Sequence, residues 1–329
     1  MKQNVGIDFL IDLVYMWVDG NDPKWRERRS HYMGGAQTCP VQQEARWIDN
    51  EELRYSLRSV EMYAPWINHI YIVTDNQCPK WLNVANPKIT VVDHSEILPT
   101  DALPLFNSTA IETCLHRIPG LSEHFIFGND DMIFSAPVSP DSFFKADGTP
   151  IVHLSGQRFN RRKAERKGIY ASMVLRMQLY IKELYGKDIC HAPHHSFDAY
   201  RRSDFEQCIA LMPDKWKATT YRRFRSVEDI QRSFIGYWQI VNGAEMRLVG
   251  RYDRTNGLGG AIKAMITGCY ASYSRCIPLT VKDFDKVLAK YNPLMICVND
   301  GEEATDDDRR RMREFLDARY PNKSDFETL

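Results

Sequence analysis

Short apolar runs alternate with polar stretches of helical spacing along the chain. Runs of about four to eight apolar, β-branched or aromatic residues bounded by turn residues are typical of buried strands. Such runs occupy residues 11–18, 70–74, 89–92, 125–134 and 294–298. Between them, apolar positions at helical spacing predict helices, including one after Asp49 and one at 109–117. This alternation predicts an α/β fold with a mostly parallel sheet flanked by helices.

Asparagine and aspartate residues follow two of the predicted strands directly. They are Asn129, Asp130 and Asp131 after the strand at 125–127, and Asn299 and Asp300 after the late strand. An ionised aspartate is rarely buried unless it is paired or holds a metal, and open α/β sheets bind ligands at the carboxyl ends of their strands. These residues predict a site for a divalent cation and a phosphorylated substrate. A simple turn is the alternative, because Gly-Asn-Asp is favourable turn chemistry.

The first strand ends in an acidic loop, Asp19-Gly20-Asn21-Asp22, before a helix predicted to begin near Lys24. The sequence contains neither a GxGxxG fingerprint nor a Walker motif. A strand followed by such a loop and a helix is a common nucleotide site, where Asp19 or Asp22 would bind ribose hydroxyls or a metal-linked water. Equally, an aspartate at this point caps the helix that follows. Both interpretations stand for this loop.

The chain is electrically balanced. Lysine plus arginine and aspartate plus glutamate both number 43, so the formal net charge of the 329 residues is zero. This balance argues against a nucleic-acid partner. The eight cysteines show no CxxC spacing, which favours reduced thiols. With no signal peptide and no run of about 18 apolar residues, the sequence predicts a cytoplasmic protein, and peripheral contact at the inner membrane face stays open.

Three groups of basic residues are candidates for phosphate contact. Arg54 and Arg58 lie four residues apart on the second predicted helix and face either solvent or a phosphate. The stretch 158–167 is either solvated surface or a basic wall for an acidic substrate. Arg225 lies at the entrance of a helix predicted to begin at residue 227, where a guanidinium is well placed to bind a phosphate group.

Three histidines, His191, His194 and His195, lie close together before a helix predicted at 196–210. A neutral imidazole there can take a proton from a hydroxyl nucleophile, because its ordinary pKa is about 6.5. Zinc binding is the second interpretation, although no second histidine cluster lies nearby in the sequence. Histidines that pack in the core or cap the helix are the third. Glycine-rich segments at 34–46 and 257–260 predict loops.

Four blocks of sequence, in order and spanning nearly the whole chain, resemble the blocks of the Stealth family of sugar-1-phosphate transferases. They lie at residues 11–23, at 47–60 continuing to 127–132, at 191–194 with 224–229, and at 298–300 continuing to 320–327. The family includes bacterial capsular polysaccharide phosphotransferases and the lysosomal-enzyme N-acetylglucosamine-1-phosphotransferase. One departure from its pattern is Gly128, where a bulkier residue is expected, and this departure affects packing more than chemistry.

The resemblance implies a Rossmann-like, GT-A-like catalytic core made of residues 1–154 and 246–329, with a mainly helical insertion at 155–245. It implies transfer of a sugar-1-phosphate from a UDP-sugar, such as a UDP-N-acetylhexosamine, to a glycan hydroxyl with release of UMP, in capsule or surface polysaccharide synthesis. The partners would be this donor, a glycan acceptor and a capsule-assembly complex at the membrane. The alternative is a GT-A glycosyltransferase that transfers the sugar itself and releases UDP.

The resemblance also implies functions for particular residues. Asp130, Asp131 and Asp300 would hold Mg²⁺ or Mn²⁺, unless one of the adjacent aspartates acts on the acceptor hydroxyl. His194 would be the general base, with His191 and His195 as alternatives, and Arg225 would bind phosphate oxygens. The remaining candidates would bind substrate, and they are Asp19, Gly20, Asn21, Asp22, Asn129, Arg54 and Arg58.

Overall fold

The computed structural model of the protein describes residues 7–33, 48–164, 166, 168–249, 262 and 272–328. The loops predicted at 34–46 and 257–260 lie outside the described residues, as does part of the basic stretch 158–167. None of the helices that the structure describes combines the length and the apolar character of a membrane span.

Eleven strands are described, and they form three sheets. They are β1 (Ile11–Met16), β2 (Ile70–Thr74), β3 (Ile89–Asp93), β4 (His124–Asn129), β5 (Met132–Phe134), β6 (Ile151–Arg158), β7 (His191–Pro193), β8 (Asp198–Arg201), β9 (Glu245–Val249), β10 (Ser272–Pro278) and β11 (Pro293–Asn299). The largest sheet has the order β3–β2–β1–β4–β8, in which only β8 runs antiparallel to its neighbour. β2 is buried along its whole length and β1 nearly so, which explains their continuous apolar runs. The predicted mostly parallel α/β sheet is confirmed.

Two smaller sheets accompany this central sheet. One has the order β10–β11–β5, with β5 antiparallel to β11, and the other has the order β7–β6–β9. Because β5 follows β4 after a two-residue turn, its pairing with β11 brings the polar ends of β4 and β11 together. The Val298 amide donates a hydrogen bond to the Asp131 carbonyl over 3.1 Å at this junction.

Helices cover the sheets. They are α1 (Pro23–Met33), α2 (Glu52–Tyr63), α3 (His94–Ile97), α4 (Ser108–Glu112), α5 (Ile169–Tyr185), α6 (Arg202–Leu211), α7 (Pro213–Thr220), α8 (Ser233–Val241), α9 (Phe284–Tyr291) and α10 (Asp306–Arg319). The helix predicted at 109–117 is shorter in the structure, since α4 is followed by a separate 3₁₀ turn at Leu115–Arg117. α2 packs against β5, and α5 and α6 pack against α8.

Two predicted helix boundaries were wrong. The helix predicted at 196–210 begins only at Arg202, because residues 198–201 form β8 and pair with β4. The helix predicted from residue 227 begins at Ser233, and residues 226–229 form a turn instead. Residues 155–245 contain α5 to α8, together with β7 and the sheet-edge strand β8. The division into a core and a helical insertion stays a prediction.

The two arginines of α2 have a structural partner. Glu327, close to the end of the chain, accepts hydrogen bonds from Arg58 Nε over 2.7 Å and from Arg54 Nε over 2.6 Å. Arg58 also donates to the Tyr320 carbonyl over 2.7 Å, and its side chain is 6% exposed. This pairing favours a structural role for Arg54 and Arg58, which hold the C-terminal segment on α2, and their contact with substrate stays a prediction.

Replacement of Glu327 by Gln is expected to lower the free energy of unfolding at pH 7 by about 3–5 kcal/mol, because it leaves the buried Arg58 charge without a partner. Urea denaturation of the variant and of the native chain measures this difference. The same experiment on Asp325→Asn, an exposed neighbour, should show a change within about 0.5 kcal/mol.

The pH dependence gives this prediction a second readout. Burial alone would raise the pKa of Glu327, but the hydrogen bonds from Arg58 and Arg54 outweigh it and lower the pKa from 4.5 to about 2. A lowered folded-state pKa contributes stability that is complete above 4.5 and is lost as the pH falls toward 2. The difference between the native chain and Glu327→Gln should therefore shrink over this range. A difference that stays constant down to pH 2 would contradict the assignment.

Phe197 explains the glycine at position 128. Its ring is buried, stacks on Phe134 with centroids 4.5 Å apart, and lies against the Gly128 backbone on β4. A Cβ atom at position 128 would overlap the Phe197 ring. The small residue in β4 is therefore compensated by a large one beside β8.

Substitution of Gly128 by Ala is expected to destabilise the protein by about 1–3 kcal/mol, the usual cost of overpacking a core. Thermal or urea denaturation measures it, and adding Phe197→Leu to Gly128→Ala should recover part of the loss. Gly236→Ala is the matched control, because a Cβ there would lie 3.4 Å from Val152. Equal stability of Gly128→Ala and the native chain would refute this packing argument.

Candidate functional site

A cleft of about 390 Å³ opens where the carboxyl ends of β1, β4 and β11 meet. The residues after these strands line it, namely Trp17 and Val18, Asn129 to Asp131, and Asn299 and Asp300. Further polar side chains reach it from helices and loops, namely Arg29, Glu52, Ser108, Glu112, His195, Arg225 and Arg232. The cleft therefore lies at the place where an open α/β sheet binds ligands.

Carboxylate groups crowd one part of the cleft. Burial raises the pKa of Asp130 well above its usual value, and electrostatic repulsion from Asp131, Glu52 and Asp49 adds to this effect. Burial also raises the pKa of Glu52 to about 7, although Asn50 donates two hydrogen bonds to this carboxylate over 2.8 and 2.9 Å. So many carboxyl groups at one point make the cleft attractive to a cation.

Asp131 lies beside a histidine and a cysteine that are distant in the sequence. Its Oδ2 accepts a hydrogen bond of 3.0 Å from the Cys297 thiol, and His195 Nε2 lies 3.2 Å from the same sulfur. One ligand atom from each of Asp131, His195 and Cys297 lies within 4.8 Å of the other two. The second oxygen of Asp131 is buried and has no hydrogen-bond partner among the described residues. These donors fit a metal ion.

Asp300 shares the cleft but has a partner of its own. Arg309 donates to both of its oxygens over 2.8 and 3.1 Å, and Asn50 donates to one over 3.2 Å. The guanidinium neutralises this carboxylate. Of the three aspartates predicted to hold a metal, Asp130 and Asp131 have no ion-pair partner among the described residues, whereas Asp300 is held in an ion pair.

Two arginines supply positive charge to the cleft. Arg225 contacts Ser108 Oγ, at the first residue of α4, and has no carboxylate within 4 Å among the described residues. It lies in the loop before α8, so the predicted position at a helix entrance was wrong, although the side chain does reach the cleft. Arg232 Nε lies 3.1 Å from Asp198 Oδ2, and Arg232 Nη1 lies 3.6 Å from Glu112 Oε1.

Arg232 was missed in the sequence, where it is a single charge in an aromatic-rich segment. Burial alone would lower its pKa, but Glu112 and Asp198 outweigh this effect and raise it. Burial raises the pKa of Asp198 to about 6 and raises that of Glu112. Glu112 Oε2 is buried and has no hydrogen-bond partner among the described residues. This buried ion group holds the Arg232 side chain at the cleft.

The three histidines have different surroundings. His194 Nε2 lies 2.9 Å from Ser274 Oγ, and burial lowers the His194 pKa to about 4. His191 Nδ1 donates to the Ser155 carbonyl over 2.8 Å, within the β7–β6–β9 sheet. His195 lines the cleft, and burial lowers its pKa. The structure therefore directs attention from His194 and His191 to His195.

The acidic loop after β1 does not line the cleft. Gln77 joins its two ends, accepting from the Asp19 amide over 2.9 Å and donating to Asp22 over 3.1 Å. Asp22 also accepts from the Lys24 amide over 2.9 Å at the start of α1. The capping interpretation therefore fits Asp19, Gly20, Asn21 and Asp22 better than substrate binding.

Aromatic side chains form the cleft wall near this loop. Phe106 and Phe224 stack with centroids 5.6 Å apart, and Trp25 meets Phe106 edge to face at 5.6 Å. The sequence contained no spacing that would have joined these three residues, because they come from α1 and from two loops.

Sequence comparisons identify relatives of this chain. Conserved region 1 of Stealth proteins matches residues 9–37, and conserved region 2 matches residues 46–152. An exopolysaccharide phosphotransferase of Streptomyces coelicolor is 39% identical over 98% of this chain and 53% of its own length. The receptor polysaccharide phosphotransferase WefC of Streptococcus gordonii is 34% identical over 96% of this chain and 98% of its own length. The chain thus spans about half of the first relative and nearly all of the second.

Two further comparisons complete this picture. The exopolysaccharide phosphotransferase cps2G of Lactiplantibacillus plantarum is 32% identical over 97% of this chain and 96% of its own length. Among solved structures, the galactosyltransferase LgtC in complex with donor and acceptor sugar analogues matches 94% of this chain and 96% of its own, at 10% identity and a TM-score of 0.46. The sequence relatives and the two matched regions carry the conclusion that the chain belongs to the Stealth family.

Proposed function

We propose that this protein transfers a sugar-1-phosphate from a UDP-sugar, such as a UDP-N-acetylhexosamine, to a hydroxyl group of a glycan. The observation that carries the proposal is one cleft whose lining includes Asp130 and Asp131 together with Arg225 and Arg232. Phosphoryl transfer needs groups that hold a cation and groups that bind phosphate oxygens, and these side chains supply both. The names of the relatives, all polysaccharide phosphotransferases, support the same reaction class.

In the proposed reaction, the acceptor oxygen attacks the phosphorus that carries the sugar. A new phosphorus–oxygen bond forms, the bond from that phosphorus to the bridging oxygen of the diphosphate breaks, and UMP leaves with the bridging oxygen. The proton of the acceptor hydroxyl passes to a base in the cleft. A glycosyltransferase would instead break the anomeric carbon–oxygen bond and release UDP, so the nucleotide product separates the two reactions.

We assign the base to His195. It lies in the cleft beside Asp131, whereas His194 is held by Ser274 and His191 by the Ser155 carbonyl. Because burial lowers the pKa of His195, its ring is neutral near pH 7 and can accept a proton. The Asp131 carboxylate stabilises the positive charge that the ring gains.

Mg²⁺ or Mn²⁺ is the cofactor that we propose for this reaction. Asp131 and Asp130 would hold the ion, because the unpartnered Asp131 oxygen and the repulsion at Asp130 both favour a cation there. The bound ion would neutralise charge on the diphosphate. Asp300 instead shapes the cleft through Arg309.

The arginines and the aromatic wall complete the donor site in this proposal. Arg225 binds phosphate oxygens with its unbalanced charge, and Asp198 and Glu112 orient Arg232 toward the same group. The uracil ring packs against Phe106 and Phe224. The proposal extends to a cytoplasmic enzyme that meets its glycan acceptor in a capsule-assembly complex at the inner face of the membrane.

A nucleotide-release assay tests the reaction. The protein would be incubated with UDP-N-acetylglucosamine, UDP-N-acetylgalactosamine and UDP-glucose, a glycan acceptor pool, and either Mg²⁺ or EDTA. We expect UMP, formed only with the metal, and a rate about 10²–10³-fold lower in Arg225→Lys, which loses directed phosphate contacts. Arg202→Lys, an exposed position outside the cleft, is the control and should keep the native rate. Release of UDP instead would overturn the phosphotransferase mechanism.

The burial of His194 predicts how its ring titrates. Burial lowers its pKa to about 4, so its ring should stay neutral from pH 8 down to about pH 5 and gain a proton only below that range. Proton NMR of the histidine ring signals, assigned by comparison with His194→Asn, measures this. A His194 signal that titrates near pH 6.5 would contradict the burial of this ring beside Ser274.

A further inference from the structure

Three different kinds of ligand atom converge at Asp131, and two of them come from parts of the chain far from it. They are a carboxylate oxygen of Asp131, Nε2 of His195 and Sγ of Cys297, with the sulfur 3.0 Å from the oxygen and 3.2 Å from the nitrogen. We propose that these three side chains form a binding site for a thiophilic divalent cation of the Zn²⁺ class. The proposal deepens the proposed function, since Asp131 and His195 belong to both.

The distances fit a tetrahedral ion. Zinc binds sulfur at about 2.3 Å and nitrogen or oxygen at about 2.0–2.2 Å, so neighbouring ligand atoms in a tetrahedron lie roughly 3.3–3.8 Å apart. The observed separations from Cys297 Sγ are a few tenths of an ångström shorter, because the atoms now meet in direct contact. Small side-chain rotations would open the space for the ion without movement of the strands.

The hydrogen bond from Cys297 satisfies only one of the two Asp131 carboxylate oxygens. The Cys297 thiol donates to one oxygen of Asp131, whereas the other oxygen is buried and has no hydrogen-bond partner among the described residues. A buried carboxylate oxygen without a partner is costly, and a bound cation would satisfy it. The donor set also selects the ion, because Mg²⁺ prefers six oxygen ligands, whereas sulfur and imidazole nitrogen favour zinc and similar ions.

A second cysteine lies next to the site. Cys276 on β10 is directly opposite Cys297 on β11, and their sulfur atoms are 3.9 Å apart. This separation is close to the edge expected between two thiolates on one zinc ion, about 3.8 Å. Cys276 is exposed and lies outside the three-residue group, so it becomes the fourth ligand only if its side chain rotates. Otherwise the fourth position is open to water.

Occupation of this site would stop the proposed reaction. The ion would hold Asp131 and His195, the two side chains that the transfer needs for its metal and its base. One equivalent of Zn²⁺ is therefore expected to abolish UMP release in the presence of excess Mg²⁺, and EDTA followed by fresh Mg²⁺ should restore it.

Metal binding itself is tested without any substrate. The full chain, stripped with EDTA, would be titrated with Zn²⁺ in competition with a chromophoric chelator, and separately with Co²⁺ to observe thiolate-to-cobalt charge transfer. We expect one tight site and a thiolate band in the native chain. Cys297→Ser and His195→Gln should weaken Zn²⁺ binding by about 100-fold or more, beyond the loss typical of outer-shell partners. Cys78→Ser, an exposed cysteine outside the cleft, is the matched control and should bind as the native chain does.

Unchanged affinity and an unchanged cobalt band in both variants would overturn the proposal, as would the lack of a tight site in the native chain. If Cys297→Ser fails to fold, His195→Gln decides the question, because His195 lies in the loop between β7 and β8. Tight zinc binding in a protein that releases UDP would overturn only the proposed reaction. Zinc-insensitive release of UMP would overturn only the inhibitory consequence.

Discussion

The crowding of carboxylates after β4 is the constraint on which the rest of the structure depends. Asp130 and Asp131 directly follow a buried strand, and burial together with repulsion from Asp131 and Glu52 opposes the ionisation of Asp130. The pairing of β5 with β11 holds them there through the bond from the Val298 amide. A bound cation would offset this cost, and the unfavourable arrangement is the reason to propose one at this site.

Elsewhere, charged side chains satisfy one another locally. Arg309 binds Asp300, and Arg54 and Arg58 bind Glu327, so these groups hold the fold together and have little left to offer a ligand. Arg225 differs, since no carboxylate lies within 4 Å of it among the described residues. The contrast between paired and unpaired charge separates arginines that stabilise the structure from those that would bind a phosphate.

The position of Cys297 adds a chemical choice to the same point. A thiol beside a carboxylate and an imidazole offers softer ligands than Mg²⁺ prefers, so one location would serve two kinds of ion. An ion that supports transfer would leave His195 able to accept a proton. An ion bound through sulfur and imidazole would remove that ability, and this difference would make the reaction sensitive to which metal is available.

The chain's apolar runs were enough to predict the parallel sheet, because each buried strand is a continuous apolar run that is bounded by its own turn residues. That Asp130, Asp131 and Arg225 lie at one cleft could also be inferred, since polar residues at strand ends and ordered sequence blocks are local features. The predicted helix boundary failed at residues 198–201, because these residues pair with β4 at the sheet edge and no local signal distinguished them from a helix.

Only the tertiary structure decided which side chains from distant parts of the sequence contact one another. Arg232 and Cys297 lie in apolar segments that read as core, and Arg58 resembles a surface charge until Glu327 folds back onto it. His195 rather than His194 reaches the cleft because the short strand β7 and the loop after it set which ring faces Asp131. Local residue patterns determine elements, whereas contacts between residues far apart in the chain depend on strand pairing and register, which no single segment encodes.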